Sequence, residues 1–335
     1  GVRNIVRKFF NVPDTHEIIF TSGTTESINL VAYSWGMNSL NEDKGVLITE
    51  MEHHSNLVPW QIVTEKTSSP LKYISINRDG TLDLTNLNSL LENSGIVAVV
   101  HQSNVFGTIN PIREIIDAAK SKNIITLVDG AQAAPHFPVD ISKIDCDFYT
   151  FSGHKMVGPT GAGVLIGRKS LLEDMNPFMG GGEMINMVEL EKSSWNEVPW
   201  KFEAGTPNIA QVIGLGEGLN FLSEIGMQKI KEHEDFLLKY ALEALSEIDG
   251  IKLYGDPALR GAVVPFNIDN IHSHDLAKFV DTDNICIRAG HHCAQPIMNA
   301  LGISSSARAS FYIYNDTQDI DLLIKSIKKT VKIFS

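Results

Sequence analysis

From Phe20 to Gly167 short apolar runs alternate with amphipathic stretches, and this alternation limits what the chain can fold into more than any other feature. Val46 to Thr49, Ile96 to His101, Ile124 to Asp129, Phe148 to Ser152 and Gly163 to Ile166 read as strands, with helical patterns between them. Pro111 to Lys120 is the clearest helix: proline suits the first helical position, and Ile112, Ile115, Ile116 and Ala119 recur at helical spacing. Such alternation predicts an α/β fold with a mostly parallel sheet. Ligands of these sheets bind beyond the carboxyl ends of the strands. The polar residues cluster there, at Glu50 to His54, His101 to Asn104, Asp129 to Gln132 and Ser152 to Lys155, so four strand ends converge on one site.

After about residue 205 the pattern changes to long helical segments, strands at Val263 to Ile268 and Ile285 to Arg288, and a final helix with Ile320, Leu323, Ile324, Ile327 and Val331 on one face. A chain of 335 residues exceeds what one hydrophobic core usually serves. We therefore expect a large α/β domain over 1–205 and a smaller α+β domain over 206–335. The polar loop Arg288 to Gln295 would face the strand ends.

Several function classes are disfavoured. No apolar run approaches the length of a bilayer span, so a membrane role is not expected. The net charge of -12 opposes the attraction that nucleic-acid binders rely on. Three cysteines, Cys146, Cys286 and Cys293, make a poor disulfide framework and suit a reducing, cytoplasmic setting. Cys146 and Cys286, the latter within the expected strand, read as structural.

Lys155 follows a strand in the run Ser152-Gly153-His154-Lys155. Alone, it reads as a solvated lysine. It has company, however, in the parts that a pyridoxal 5'-phosphate (PLP) site requires: an acid for the pyridinium nitrogen and a phosphate cradle. Asp129 ends an apolar strand where it could meet a ring nitrogen, or it caps the following turn. Gln132 could donate to the ring oxygen. Ser22 to Glu26, with Thr24 and Thr25, offers hydroxyls and backbone N–H groups at a helix start, equally readable as a capping box. His53 and His54 could stack on an aromatic ring or be polar loop residues. His291, His292 and Cys293 could be metal ligands, but adjacent residues rarely ligate one ion and no Cys-x-x-Cys spacing occurs. Cys293 as a nucleophile would gain thiolate character from His291, His292 and Arg288. Gly214, Gly216 and Gly218 mimic a dinucleotide fingerprint but follow no strand, and read as helix packing.

These residues carry a resemblance. The segments TSGTTESINL (21–30), EHHSNLVPW (52–60), VDGAQ (128–132), SGHKMVGPTG (152–161), GGGEMI (180–185), FEAGTPN (202–208), RAGHHCAQP (288–296) and ARASFYIYN (307–315) resemble, in order, those of the class-V aminotransferase family and its SufS-type cysteine desulfurases. The resemblance implies the PLP-dependent transferase fold of type I. It implies PLP held by Lys155, with Asp129 on the ring nitrogen, Gln132 on the ring oxygen, His53 stacked over the ring, and Thr24, Thr25, Ser152 and His154 around the phosphate. Thr206 would reach the phosphate of the other subunit in a homodimer. Arg308 would clamp the carboxylate of L-cysteine with help from Asn104, and Arg288 would line the thiol loop. Cys293 would take the sulfur as a persulfide and pass it to an acceptor of the SufE or SufU kind for iron–sulfur cluster assembly. The resemblance also implies an N-terminal segment covering the substrate that does not precede Gly1. A selenocysteine lyase, another class-V activity, or a truncated and inactive scaffold are the readings that compete.

Overall fold

The computed structural model describes residues 1–334. Its centre is a seven-stranded sheet formed by β1 (His16–Thr21), β2 (Gly45–Thr49), β3 (Leu71–Ile74), β4 (Ser94–Val100), β5 (Ile125–Asp129), β6 (Phe148–Ser152) and β7 (Gly163–Arg168). The spatial order is β1-β7-β6-β5-β4-β2-β3. Every pairing from β3 to β6 is parallel, while β7 runs antiparallel to both of its neighbours. The five expected strands of this region are present within a few residues of their predicted ends. β3 has the short, half-exposed pattern of an edge and gave no apolar run to find.

Alternation along the strands divides the apolar side chains between two layers. Leu47, Val97, Val99, Val128, Tyr149, Phe151, Val164 and Ile166 face one core. Val46, Ile48, Ile96, Ala98, Leu127, Phe148 and Leu165 face the other. Both faces are covered by helices, as parallel sheets require. The helix Val2–Phe9 packs against the helix Ile209–Ile225, whose Leu215, Leu219 and Leu222 lie in the first core. The glycines that mimic a dinucleotide motif lie inside that second helix and permit its close approach. A Cβ on Gly218 would stand 2.6 Å from the Met156 carbonyl oxygen, and one on Gly216 would stand 3.1 Å from Val2.

A third core underlies a smaller sheet after the hairpin β8 (Ile185–Val188) and β9 (Ser193–Trp195). The small sheet is formed by β10 (Ile251–Leu253), β11 (Val263–Ile268), β12 (Arg288–Gly290) and β13 (Ser306–Ser310), ordered β10-β11-β13-β12. The terminal helix Thr317–Phe334 buries Ile320, Leu323 and Ile327 on it, as the spacing predicts. The strand expected at Ile285 to Arg288 begins only at Arg288, and Cys286 is exposed outside it rather than set in an apolar strand. The Ile-Cys-Ile run looks apolar, but the residues that pair with β13 are Arg288, Ala289 and Gly290.

The antiparallel β7 sets the geometry of the site edge. Its first residue, Gly163, pairs with Thr21 at the end of β1 and with Ser152 at the end of β6. Two segments far apart in sequence, Ser22–Thr25 and Gly153–Lys155, therefore leave the sheet side by side. The approach is close enough to exclude a side chain, since a Cβ on Gly163 would stand 2.3 Å from Gly23 Cα. Gly163→Ala is expected to cost about 1–3 kcal/mol of stability through overpacking. Gly180→Ala, where a Cβ meets nothing within 4 Å, should be neutral. Thermal melts of the two variants check the difference.

Candidate active site

Where β2, β4, β5 and β6 end, they enclose a cleft of about 310 Å³ whose far wall is the small sheet. Thr24, Thr25, His53, Asn104, Asp129, Gln132, Ser152, His154, Lys155, Arg288 and Arg308 all line it. Thr206 does not. It is exposed in a separate hollow with Phe20, Glu26 and Glu203. Cys293 sits at the rim, where Arg288 Nη2 donates to its Sγ at 3.4 Å.

Burial sets the electrostatics of the cleft. Asp129 ends β5 beneath the surface and takes one N–H, from Ala131 at 2.9 Å. Burial pushes its carboxyl upward against the opposing pull of Lys155. Lys155 sits in a single helical turn after β6, and burial holds its amine below the usual lysine range, with the Arg308 and Arg288 charges adding to the effect. An amine so placed is a better nucleophile at neutral pH than a solvated lysine. His53 is pushed down to about 4, first by burial and then by Lys155, so its ring is neutral. Its Nδ1 accepts from the Ser55 amide at 3.1 Å, which leaves any ring proton on Nε2.

The Ser22–Thr25 segment is built for close contact with β6. Ser152 Oγ accepts from the Thr24 amide at 2.9 Å and lies 2.9 Å from the Thr24 hydroxyl. Glu26 accepts from the Ser22 amide at 2.7 Å, but the helix is capped by Gly23 without a side-chain bond, so the capping box that the sequence suggests does not form. Thr25 reaches across to Ser55 at 2.7 Å.

On the opposite wall, Arg288 and Arg308 face each other across the β12–β13 ladder. Two guanidinium groups at one ladder position repel and hold a strong field for anions. Burial lowers Arg308 to about 10, so it stays charged at neutral pH. Its Nη1 donates to the Asn104 carbonyl at 2.8 Å, while its Nε and Asn104 Oδ1 are buried with no hydrogen-bond partner among the described residues.

Two residues to which the sequence assigns no role, Ser55 and Glu52, complete the scaffold. Ser55 bridges His53 and Thr25. Glu52 is buried and binds Thr49 Oγ1 at 2.8 Å, Asn56 Nδ2 at 2.6 Å and the Val100 amide at 2.9 Å, so it ties the ends of β2 and β4 together. Burial raises its pKa to about 8 despite those three bonds. A glutamate at a strand end gave no sign in the sequence that it turns inward. Among the described residues no group of three or more His, Cys, Asp and Glu stands together as a metal site, and no helix is long and apolar enough to cross a membrane.

Comparison with known proteins places this geometry. The aminotransferase class-V family pattern matches residues 1–323. A probable cysteine desulfurase of Halalkalibacterium halodurans is 51% identical over 335 residues, covering 100% of this chain and 82% of its own length. The chain belongs to the class-V aminotransferase family, among its cysteine desulfurases. Among solved class-V structures, the cysteine desulfurase CsdA of Escherichia coli in its S-sulfonic acid form matches with TM-score 0.96 at 36% identity, over 100% of this chain and 84% of that one. The apo cysteine desulfurase of Thermococcus onnurineus NA1 matches with TM-score 0.94 at 39% identity, over 99% and 83%. The fold is the type I α/β fold of PLP-dependent transferases, as expected.

The cysteine loop of this desulfurase fold has a pH signature. His292 is buried and pushed down to about 4 by burial, then by Arg308 and Arg288. An unfolded histidine titrates near 6.5. Between those values the unfolded state binds the extra proton, so this contribution is complete above about pH 6.5 and is lost as pH falls toward 4. Glu52 has the opposite slope, since the folded state holds its proton up to about pH 8. Melts between pH 7 and pH 4 should therefore show a shallower acid loss in His292→Gln than in the parent.

Proposed function

We propose that the chain converts L-cysteine to L-alanine, leaving the sulfur as a persulfide on Cys293, with PLP held in the cleft by Lys155. The observation that carries this reading is the convergence in one cleft of a buried carboxylate, a half-buried lysine and a half-buried arginine, with a thiol within reach of Arg288. The donor set suits the cofactor. Asp129 is a buried carboxylate with no ion pair among the described residues, which an N–H cation on a pyridine ring would satisfy. Thr24, Thr25, Ser152 and His154 offer hydroxyl and N–H groups for a phosphate, and Gln132 and the face of His53 suit the ring oxygen and ring. Bound there, PLP would supply an electron sink for the bonds at the substrate's α-carbon.

The chain's own groups then have separable tasks. Arg308, with its unpartnered Nε, and Asn104 bind and orient the substrate carboxylate, for which a guanidinium fork is well suited. Lys155, with its lowered pKa, moves the α-proton. Cys293 attacks the substrate sulfur as its thiolate. A new S–S bond forms as the C–S bond breaks, and the pair from that bond stays on the substrate carbon, which is protonated and leaves as alanine. The persulfide then passes to an acceptor thiol on a protein of the SufE or SufU kind, for iron–sulfur cluster assembly in the cytoplasm.

A homodimer is part of the proposal. Thr206 lies away from the chain's own cleft, in an exposed hollow that Met179 also lines, three residues before the exposed Ile209. A threonine so placed has no role in its own chain's cleft, and a second copy would bring its Thr206 to the phosphate. A selenocysteine lyase would use the same clamp, but the Arg288–Cys293 contact favours a reaction that needs the thiol.

The test is to supply PLP and L-cysteine and follow the visible cofactor band, alanine and protein-bound persulfide together. Cys293→Ala should lower alanine release by at least about 100-fold and abolish the persulfide while keeping the cofactor band. Persulfide on Cys146 or Cys286 instead, or an undiminished rate, would sink the assignment. Arg308→Lys, which keeps the charge but loses the fork, is expected to raise KM for L-cysteine by about tenfold, measured from initial rates of alanine formation.

A further inference from the structure

The turn that presents Cys293 is strained. His292 and Cys293 are consecutive non-glycine residues in the left-handed region, at φ 55° and φ 57°. Histidine visits that region more often than most residues but cysteine does not, and two such residues in succession are uncommon, so surrounding bonds must over-determine the turn. Inside the loop, the Ala294 amide donates to the His291 carbonyl at 2.9 Å, and the His292 ring meets Ser306 Oγ at 2.9 Å. Three further bonds come from the ends of β2 and β4. Asn104 Nδ2 donates to the His292 carbonyl at 2.6 Å. The His54 amide donates to the Cys293 carbonyl at 2.7 Å. The Gln295 amide donates to His54 Nε2 at 3.2 Å.

His54 therefore grips the loop on both sides of the thiol, with its backbone on residue 293 and its ring on residue 295. The two adjacent histidines divide their work, since His53 lines the cleft and His54 turns to the loop. We propose that His54 is a positioning residue, whose Nε2 acts as a fixed hydrogen-bond acceptor that holds the Cys293 turn in its reactive shape. The role requires a neutral ring with its proton on Nδ1, and burial together with the neighbouring His291 favours the neutral form. The loop-holding role stands on geometry alone, and only its consequence for turnover rests on the desulfurase reading.

His54→Ala removes the ring acceptor and keeps the backbone bond, while His54→Gln offers an acceptor oxygen in its place. The PLP-loaded full chain would be treated with iodoacetamide, with the alkylation of Cys293 read by peptide mass against exposed Cys286 in the same sample. His54→Ala should raise the Cys293/Cys286 ratio by about fivefold, the effect of losing one hydrogen bond of ordinary net strength. Its kcat for alanine should fall by a similar factor with KM for L-cysteine unchanged, and His54→Gln should restore both. A ratio unchanged or lowered in a folded His54→Ala overturns the proposal. A ratio raised equally in both variants also overturns it, because the cause is then the ring's bulk and not its acceptor. If the ratio responds as expected but the parent makes no alanine, the desulfurase reading fails and the role of His54 stands.

Discussion

The site depends on one close approach, the contact of Gly163 with the backbone of Gly23. Because β7 runs against its neighbours, the ends of β1 and β6 meet at its first residue. The Ser22–Thr25 turn and the Gly153–Lys155 turn are thereby pressed together, with Ser152 Oγ binding Thr24 between them. In a wholly parallel sheet the last residue of β7, Arg168, and not its first, Gly163, would stand between these two segments. The reversal of a single strand builds a hydroxyl-rich cradle beside the lysine, and the absence of one side chain permits the fit.

Around that cradle, burial does most of the electrostatic work. Lys155, His53 and His292 are all moved toward their neutral forms by loss of water, while Asp129 and Glu52 are moved toward protonation. The two arginines keep their charge through the same desolvation because a guanidinium starts so far above neutrality. The cleft thus contrasts a wall of titratable groups that burial shifts toward their neutral forms with a wall of fixed positive charge. The first suits proton movement and the second suits holding an anion.

Much of this arrangement was legible in the sequence. Apolar strands that stop at Asp129, Ser152 and His101 announce which ends carry polar groups, and the sheet direction follows from the alternation. What the sequence hid has physical reasons. β12 and β13 carry Arg288 and Arg308 in short strands with small or charged neighbours, so no period-2 apolar signal marks them, and the apolar Ile285-Cys286-Ile287 run drew the expected strand three residues early. Glu52 and Ser55 act through contacts between segments, with Glu52 reaching Val100 and Ser55 reaching Thr25, and no local pattern encodes such pairs. Thr206 differs again, since it lies away from its own chain's cleft and only the proposed homodimer gives it a role there.

The facing arginines at one rung of the small sheet have a consequence for selectivity. Like charges held at one register position repel, and a ligand bearing a negative group of its own relieves that repulsion. A thiol amine that lacks a carboxylate would bury itself against uncompensated cations and gain nothing from the unpartnered guanidinium N–H. On the proposed reading the site would discriminate by rejection as well as by attraction, screening small thiols for their acid group before any bond to sulfur is touched.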